Sequence, residues 1–228
     1  MTTKIKKYFV IGNPIDHSLS PKLHNFWLKK YNVNAIYEKK KLNESELPHI
    51  ILEIKKRKID GINITVPFKK IIIPLLEKLS PEAEKTQSVN TIFLKNDNVV
   101  GHNTDIDGFE YAIKESNIDI KNKKIFILGA GGVVSSLIFA LNRMMASEII
   151  ISNRTKQKAE DLKKIFNDIK IVNWGELPEF DVIINATSIG LNITDRINLD
   201  FSKVGKNKLF YDVIYNPAET NFLKEGKR

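Results

Sequence analysis

Residues 125–132 join a short apolar run to a glycine-rich turn and read Ile125-Phe126-Ile127-Leu128-Gly129-Ala130-Gly131-Gly132. Consecutive apolar residues that end abruptly in glycine are typical of a buried parallel strand, and the turn would open the helix that follows. In such a unit the glycines let the backbone approach a phosphate, and the helix N-terminus supplies free N–H groups. Val134 stands where a third glycine or alanine is usual, so a tight connection that binds no ligand is the alternative.

The segments that flank this unit continue the alternation of strand and helix. Helices are predicted at about 108–117, from the glycine turn to about 145, and at 156–166. Strands are predicted at 148–152, 169–172, 181–186 and 209–215. Strands that alternate with helices predict a Rossmann-like, doubly wound parallel sheet.

The end of the strand at 148–152 indicates which dinucleotide would bind. An NAD-binding domain usually places an acid here for the ribose 2′-hydroxyl, but this strand runs into Asn153, Arg154 and Thr155. Arg154 can pair with a phosphate, Thr155 can donate a hydroxyl, and Lys158 lies one helical turn beyond Arg154. The sequence therefore predicts a 2′-phosphate pocket and NADP. A solvated Arg154 and a Thr155 that only caps the helix are the alternative.

The first part of the chain has a different order of predicted strands and helices, and the change of pattern falls near residue 105. Strands are predicted at 8–11 and 61–67, and a hairpin at 89–100 turns around residues 96–98. In the strand at 61–67, Ile62, Ile64 and Val66 would share one face. Helices are predicted from Ser20, as N-cap, to about 31, and at 44–58 and 71–79. We therefore predict an α/β substrate-binding catalytic domain at 1–105 and an NADP-binding domain at 106–228.

Short polar side chains stand at the ends of these predicted strands. They are Ser18, Ser20, Asn63, Thr65, Lys69, Asn90 and Asp105. Open α/β sheets bind ligands at strand ends, and a polyol needs a hydrogen-bonding group for each hydroxyl. Each residue also has an ordinary structural role open to it, since Ser20 and Asp105 could cap helices and Asn63 and Thr65 could face water.

The composition excludes several classes of protein. The 228 residues include 42% hydrophobic and 28% charged residues, as in ordinary globular proteins. The absence of cysteine excludes disulfides, thiol catalysis and Cys-based zinc sites, and it fits a cytoplasmic protein for which no metal is expected. The net charge of +9 is spread over scattered lysines without interleaved aromatic residues. We therefore expect no nucleic-acid partner, and a positive field that attracts anionic ligands. No apolar run is long enough to span a membrane.

Together these motifs resemble the shikimate dehydrogenase family. The matching segments cover nearly the whole chain and occur in the family's order. They are Gly12-Asn13-Pro14, His17-Ser18-Leu19-Ser20-Pro21, Asn63-Ile64-Thr65-Val66-Pro67-Phe68-Lys69, Val89-Asn90-Thr91, Asn103-Thr104-Asp105, Gly129-Ala130-Gly131-Gly132, Asn153-Arg154-Thr155, Asn185-Ala186-Thr187-Ser188 and Tyr211-Asp212 with Tyr215. The glycine turn is common, but the Ser-x-Ser-Pro, Asn-x-Thr-Val-Pro-x-Lys and Asn-Thr-Asp segments together are highly specific.

The resemblance implies an oxidoreductase of aromatic amino-acid biosynthesis that reversibly reduces 3-dehydroshikimate to shikimate with NADP. It implies that Lys69 is the acid/base residue, paired with Asp105. The implied substrate residues are Ser18, Ser20, Thr65, Lys69, Asn90 and Asp105, with Asn63 and Tyr215 nearby. The implied cofactor residues are Gly129, Ala130, Gly131, Gly132 and Val133 at the pyrophosphate, Asn153, Arg154, Thr155 and Lys158 at the adenosine phosphate, and Thr187, Ser188 and Val213 beside the nicotinamide.

Two alternatives accompany this interpretation. A quinate/shikimate dehydrogenase that uses NAD is disfavoured by Arg154 and the missing acid, and a catalytically silent ligand-binding relative is disfavoured by the intact Lys69 and Asp105. Family members normally continue with a glycine-rich turn and a helix that returns to the substrate domain. This sequence stops at 224–228, so we expect that helix to be absent, apolar surface to be exposed and substrate affinity to be reduced.

Overall fold

A computed structural model describes residues 4–227 of the chain. The chain divides into two compact units, Met1–Thr104 and Asp105–Arg228. Each unit has its own sheet, with six strands in the first and five in the second.

The first unit is built on a mixed sheet. Its strands are β1 (Lys6–Gly12), β2 (Ala35–Lys41), β3 (Gly61–Ile64), β4 (Lys78–Leu79), β5 (Thr91–Lys95) and β6 (Asn98–His102). Its α-helices are α1 (Ser20–Lys30), α2 (Leu47–Lys55), α3 (Phe68–Ile71) and α4 (Pro81–Thr86), with 3₁₀ turns at Glu44–Glu46 and Ile73–Leu75. The strand order is β2-β1-β3-β5-β6-β4, in which β1 is parallel to β2 and β3, and β5 is antiparallel to β3 and β6.

The predicted hairpin is confirmed as β5 and β6. Asn96 and Asp97 form its two-residue turn, with φ angles of 49° and 57°. Asn and Asp tolerate positive φ better than other side chains, and a turn with two such residues matches the twist of the strands that it joins. The core of this unit includes Leu47, Ile50 and Ile54 of α2, whose spacing places them on one buried helix face.

Three local predictions in this unit need correction. Val66 does not share the buried face of Ile62 and Ile64, because β3 ends at Ile64 and Val66 is 60% exposed. The predicted helix at 71–79 is interrupted, since Pro74 has no N–H to extend an α-helix and the chain turns in a 3₁₀ segment before β4.

The N-terminus of α1 also differs from the prediction. Ser20 is the first helical residue and Leu19 occupies the N-cap position, where no side chain makes a capping hydrogen bond.

The second unit is an entirely parallel α/β sheet, as predicted. It contains α5 (Asp105–Glu115), β7 (Lys124–Leu128), α6 (Val134–Arg143), β8 (Glu148–Ser152), α7 (Lys156–Ile165), β9 (Lys170–Val172), β10 (Val182–Asn185), β11 (Leu209–Asp212) and α8 (Asn221–Gly226). The strand order is β11-β10-β7-β8-β9, so the order reverses between β7 and β10. Open α/β sheets bind ligands at such a switch point, and the glycine turn follows β7 directly.

The alternating side chains of β7 explain why its sequence is continuously apolar. Ile125 and Ile127 lie in one hydrophobic cluster, whereas Phe126 and Leu128 lie in another. A parallel strand that is buried on both faces has no polar positions between its apolar ones. In the described part of the chain, no helix combines the length and apolar character needed to cross a bilayer.

Candidate functional site

The predicted polar residues of the first unit gather at one edge of its sheet. The parallel strands β1 and β3 end there, and the antiparallel β5 begins there. Backbone hydrogen bonds continue past the strand ends, from Thr65 N to Ile11 O at 2.9 Å and from Ile64 N to Asn90 O at 2.8 Å. These bonds fix the backbone of the segments that carry Asn63, Thr65 and Asn90.

Gly12 allows two of these segments to approach closely. A Cβ at this position would lie 2.5 Å from Thr65 Cγ2 and 3.0 Å from the carbonyl oxygen of Val66. The next residue, Asn13, donates its N–H to that same Val66 oxygen at 2.9 Å. Glycine at position 12 therefore lets the loop that leads to Ser18 and Ser20 lie against the end of β3.

Asn63 and Asn90 belong to one network of side-chain hydrogen bonds. Asn63 Nδ2 donates to Asn90 O at 3.2 Å and to Thr91 Oγ1 at 3.0 Å. Asn90 Oδ1 accepts from Thr91 Oγ1 at 3.0 Å and from Thr104 N at 2.9 Å. Because amides and hydroxyls that bond to each other lose rotational freedom, this network holds both asparagines in fixed orientations.

The segment that leads to Asp105 is fixed by the buried Asn103. Its Nδ2 donates to Thr86 Oγ1 at 3.1 Å and to Ser88 O at 3.0 Å. Asp105 itself is the first residue of α5 and is half-buried. It belongs to the second compact unit.

Lys69 is half-buried in the single turn of α3. Its carbonyl oxygen accepts the N–H of Val89 at 2.8 Å, and the neighbouring Phe68 is only 2% exposed. The hydrogen bond and the buried phenylalanine fix the Lys69 backbone beside the segment that carries Asn90.

Tyr37 is a member of this site that the sequence analysis misses. The side chain is 4% exposed, and its Oη donates to Asn63 Oδ1 at 2.7 Å. In the nearby serine loop, Ser20 N donates to Ser18 Oγ at 3.3 Å. A tyrosine just before a run of charged residues in β2 is the only signal in the sequence, because its hydrogen-bond partner Asn63 is 26 residues away along the chain.

The burial of Tyr37 also fixes its protonation state. Removal from water raises the pKa of the Tyr37 phenol far above its usual range, and the nearby Ser20 side chain only partly opposes this rise. The phenol is therefore a neutral hydrogen-bond donor to Asn63 throughout the pH range in which enzymes work.

In the second unit, two glycines of the turn differ in whether the structure leaves space for a side chain. Gly129 has φ +111°, and a Cβ there would lie 2.7 Å from Ala186 O. At Gly131 a Cβ would meet no atom of residues 4–227 within 4 Å. Val134, at the position of the usual third glycine, is fully buried in the core. The turn thus has open space above Gly131, as a phosphate cradle requires.

Gly129→Ala and Gly131→Ala should separate folding from cofactor binding. We expect Gly129→Ala to lower the free energy of unfolding by about 2 kcal/mol, because alanine is strained at this φ and its Cβ overlaps a backbone oxygen. Gly131→Ala should change it by less than about 0.5 kcal/mol, yet weaken NADP binding by placing a methyl group in the cradle. Denaturant unfolding and titration calorimetry test both; unchanged NADP binding in Gly131→Ala would contradict the cradle.

The predicted 2′-phosphate pocket lies between β8 and α7. Arg154 and Lys158 are exposed, and neither makes an ion pair with another residue of the described range 4–227. Thr155 occupies the N-cap position of α7, but its side chain makes no capping hydrogen bond. Asn153 Nδ2 donates to Thr155 O at 2.7 Å and holds the loop in place. The capping role that was the alternative for Thr155 is therefore not observed.

A second buried network shapes the loop that follows β10. Asn185 Nδ2 donates to Asp212 Oδ1 at 3.1 Å, and Asn185 Oδ1 accepts from Thr187 Oγ1 at 2.7 Å. Thr220 Oγ1 donates to Asp212 Oδ2 at 2.6 Å. The network orders Thr187 and the exposed Ser188 after it. Asp212 belongs to a segment already matched in the sequence, whereas Thr220 is a further residue of this network that sequence patterns do not reveal.

The remaining predicted residues follow β11. Val213 is half-buried, and its N–H donates to Asn185 O at 3.0 Å. Tyr215 is 59% exposed. Each sheet therefore brings together, within its own unit, most of the predicted residues at its strand ends. In the first unit these are the two serines, the two asparagines, Thr65 and Lys69. In the second unit they are the glycine turn, Arg154 and Thr187.

The chain matches two family models in succession. Residues 10–92 match the shikimate dehydrogenase substrate binding domain, and residues 110–219 match shikimate / quinate 5-dehydrogenase. A relative from Pelagibacter ubique (strain HTCC1062), named shikimate dehydrogenase (NADP(+)), is 58% identical over 223 residues, which are 98% of this chain and 84% of the relative.

Two solved structures are similar over almost the whole chain. Shikimate dehydrogenase from Aquifex aeolicus is 37% identical with a TM-score of 0.91, covering 100% of this chain and 85% of that one. Shikimate 5-dehydrogenase from Thermus thermophilus, in complex with NADP(H) and shikimate, is 32% identical with a TM-score of 0.88, covering 98% of this chain and 84% of that one.

Proposed function

Since this chain belongs to the shikimate dehydrogenase family, we propose that it catalyses the NADP-dependent, reversible reduction of 3-dehydroshikimate to shikimate. The observation that carries the proposal is the hydrogen-bonded edge of the first sheet. There, Asn63 and Asn90 share a network, and Lys69 and Thr65 lie on the adjoining backbone. Neutral amides and hydroxyls in fixed orientations suit a small ring that carries several hydroxyl groups.

The residues of the second unit fit the phosphates of NADP. The open space above Gly131 would admit the pyrophosphate, and the exposed Arg154, Thr155 and Lys158 would hold the adenosine 2′-phosphate. An arginine without an acidic partner suits a phosphate monoester, because its planar N–H groups can pair with two phosphate oxygens. The ordered Thr187 and the nearby Val213 would lie beside the nicotinamide. NADPH, when bound, supplies the hydride for reduction of the ketone.

The chain's own contribution to the chemistry is assigned to Lys69 and Asp105. Negative charge develops on the ketone oxygen during reduction, and an ammonium group can stabilise that charge and donate the proton that completes the hydroxyl. We assign this role to Lys69. A carboxylate favours and orients the charged form of an ammonium group, which is the role proposed for Asp105. Ser18, Ser20, Asn63, Thr65, Asn90 and Tyr215 are the proposed substrate-binding residues.

The charge of the whole protein supports an anionic substrate and cofactor. Shikimate carries a carboxylate and NADP carries phosphates, and a net charge of +9 raises the local concentration of both. We therefore assign the basic surface to these small anions and not to nucleic acid, and we propose a cytoplasmic location, where NADP-linked biosynthesis takes place.

The direct test is oxidation of shikimate by this chain. Reduced nicotinamide would be followed by its absorbance with NADP and NAD in parallel, and quinate would serve as the control substrate. We expect turnover of shikimate with NADP, and much slower turnover with NAD or quinate. A folded protein that binds NADP but turns over no shikimate would contradict the proposed reaction.

A further inference from the structure

We propose that Tyr37 is a positioning residue for the binding of shikimate. Its hydroxyl group orients the side chain of Asn63. This inference rests on the proposed function, because it concerns the same substrate. Tyr37 is almost completely buried, so it acts through its hydrogen-bond partners and not by contact with the substrate.

The hydrogen bonds of Asn63 show which of its polar atoms can still bind a ligand. The two hydrogens of Nδ2 are donated to Asn90 O and Thr91 Oγ1, and Oδ1 accepts the Tyr37 hydroxyl. A carbonyl oxygen has two lone pairs, so Asn63 keeps one acceptor position and no donor. Asn63 would therefore accept a hydrogen bond from a shikimate hydroxyl.

Tyr37 maintains this orientation of the amide. A flipped amide would place Oδ1 against the carbonyl oxygen of Asn90, which only accepts hydrogen bonds. The tyrosine hydroxyl adds the matching donor on the other side, at 2.7 Å. Without it, only the two Nδ2 hydrogen bonds would hold the amide, and the direction of Oδ1 would be less tightly fixed.

The position of the tyrosine is itself determined by its surroundings. Asn25 forms a pair of hydrogen bonds with the Tyr37 backbone, at 2.7 Å and 3.0 Å. The His24 ring stacks on the phenol ring at a centroid distance of 4.2 Å and an angle of 7°. Val10 and Ile15 pack in the same cluster. These contacts involve the ring and the backbone, so phenylalanine would preserve them and lose only the hydroxyl.

Tyr37→Phe and Tyr8→Phe form a matched pair for the test. Tyr8 is half-buried against the same cluster and makes no side-chain hydrogen bond with any residue in the described range. We expect Tyr37→Phe to raise KM for shikimate by about tenfold, the equivalent of one hydrogen bond. kcat should change less than KM, and KM for NADP and the melting temperature should match those of Tyr8→Phe.

A double-mutant cycle with Asn63→Ala tests whether Tyr37 acts through Asn63. The effect of Tyr37→Phe on KM should shrink when Asn63 is already alanine, because the principal partner of the hydroxyl is gone. Calorimetric titration with shikimate and oxidised NADP provides the same comparison without turnover. Equal KM values for Tyr37→Phe and Tyr8→Phe, or fully additive effects in the cycle, would overturn the proposal. Absence of shikimate turnover in the unmodified chain would instead refute the proposed function.

Discussion

Replacement of Lys69 by alanine should lower kcat by about 10²- to 10⁴-fold, the range that general acid–base catalysis contributes. Lys69 is proposed to protonate the ketone oxygen, and the short side chain of alanine can neither donate a proton nor stabilise the negative charge. The amides and hydroxyls of the site are unaffected by this substitution. Shikimate should therefore still bind, and the loss should appear mainly in kcat. Initial rates and calorimetric titration of shikimate would measure the two effects separately.

Lys70→Ala is the control for this experiment. Lys70 is also half-buried and lies in the same helical turn. Its replacement removes the same charge from the same region but should leave kcat near that of the unmodified protein. Equal rates for Lys69→Ala and the unmodified protein would exclude Lys69 as the acid/base residue. Equal losses in both variants would indicate a general effect of charge.

Arg154→Asp should reverse the preference for NADP over NAD. Hydrogen bonds to charged groups contribute about 1.5–3 kcal/mol each, so loss of this pairing should lower kcat/KM with NADP by about 100-fold. The introduced carboxylate would also repel the 2′-phosphate and could accept a hydrogen bond from the ribose 2′-hydroxyl of NAD. The measurement is the ratio of kcat/KM for the two cofactors, with shikimate at saturation.

Lys163→Asp is the matched control for Arg154→Asp. It makes a comparable reversal of charge near the other end of α7, at an exposed position. Its cofactor ratio should remain close to that of the unmodified protein. If Arg154→Asp still prefers NADP, the 2′-phosphate is held elsewhere.

Local pattern alone was sufficient to predict most of the second unit. A strand buried on both faces is a continuous apolar run, and residues 125–128 show the pattern because a separate hydrophobic cluster covers each face of β7. The hairpin turn was predictable for a similar reason, since Asn96 and Asp97 favour the positive φ that the turn needs. In both places, the residues of one short segment are enough to predict its structure.

The errors occur where the chain changes direction. Val66 continues the alternation of β3 in the sequence, but the strand ends two residues earlier as the chain enters the turn that carries Lys69. Pro74 interrupts a segment whose apolar residues otherwise suit a helix. Periodicity describes the face of an element, and it does not mark the residue at which tertiary packing ends that element.

The residues that hold the site in place were the least predictable. The side-chain partner of Tyr37, Asn63, is 26 residues away and lies in another strand. Such side-chain hydrogen bonds leave no repeat and no motif in the sequence. They exist only because the sheet order brings the strands together, so a fold must be known before they can be identified.

The network that joins Tyr37, Asn63 and Asn90 carries no charge near neutral pH. Its amides and hydroxyls do not ionise near neutral pH, and burial raises the pKa of the Tyr37 phenol still further from that range. The His24 ring that stacks on the phenol has its pKa lowered by burial, so its neutral form persists into more acidic solution. The hydrogen bonds that this network makes to the ring hydroxyls of shikimate should therefore stay constant across the working pH range. Any pH dependence of catalysis then belongs to the ionisable groups that transfer the proton.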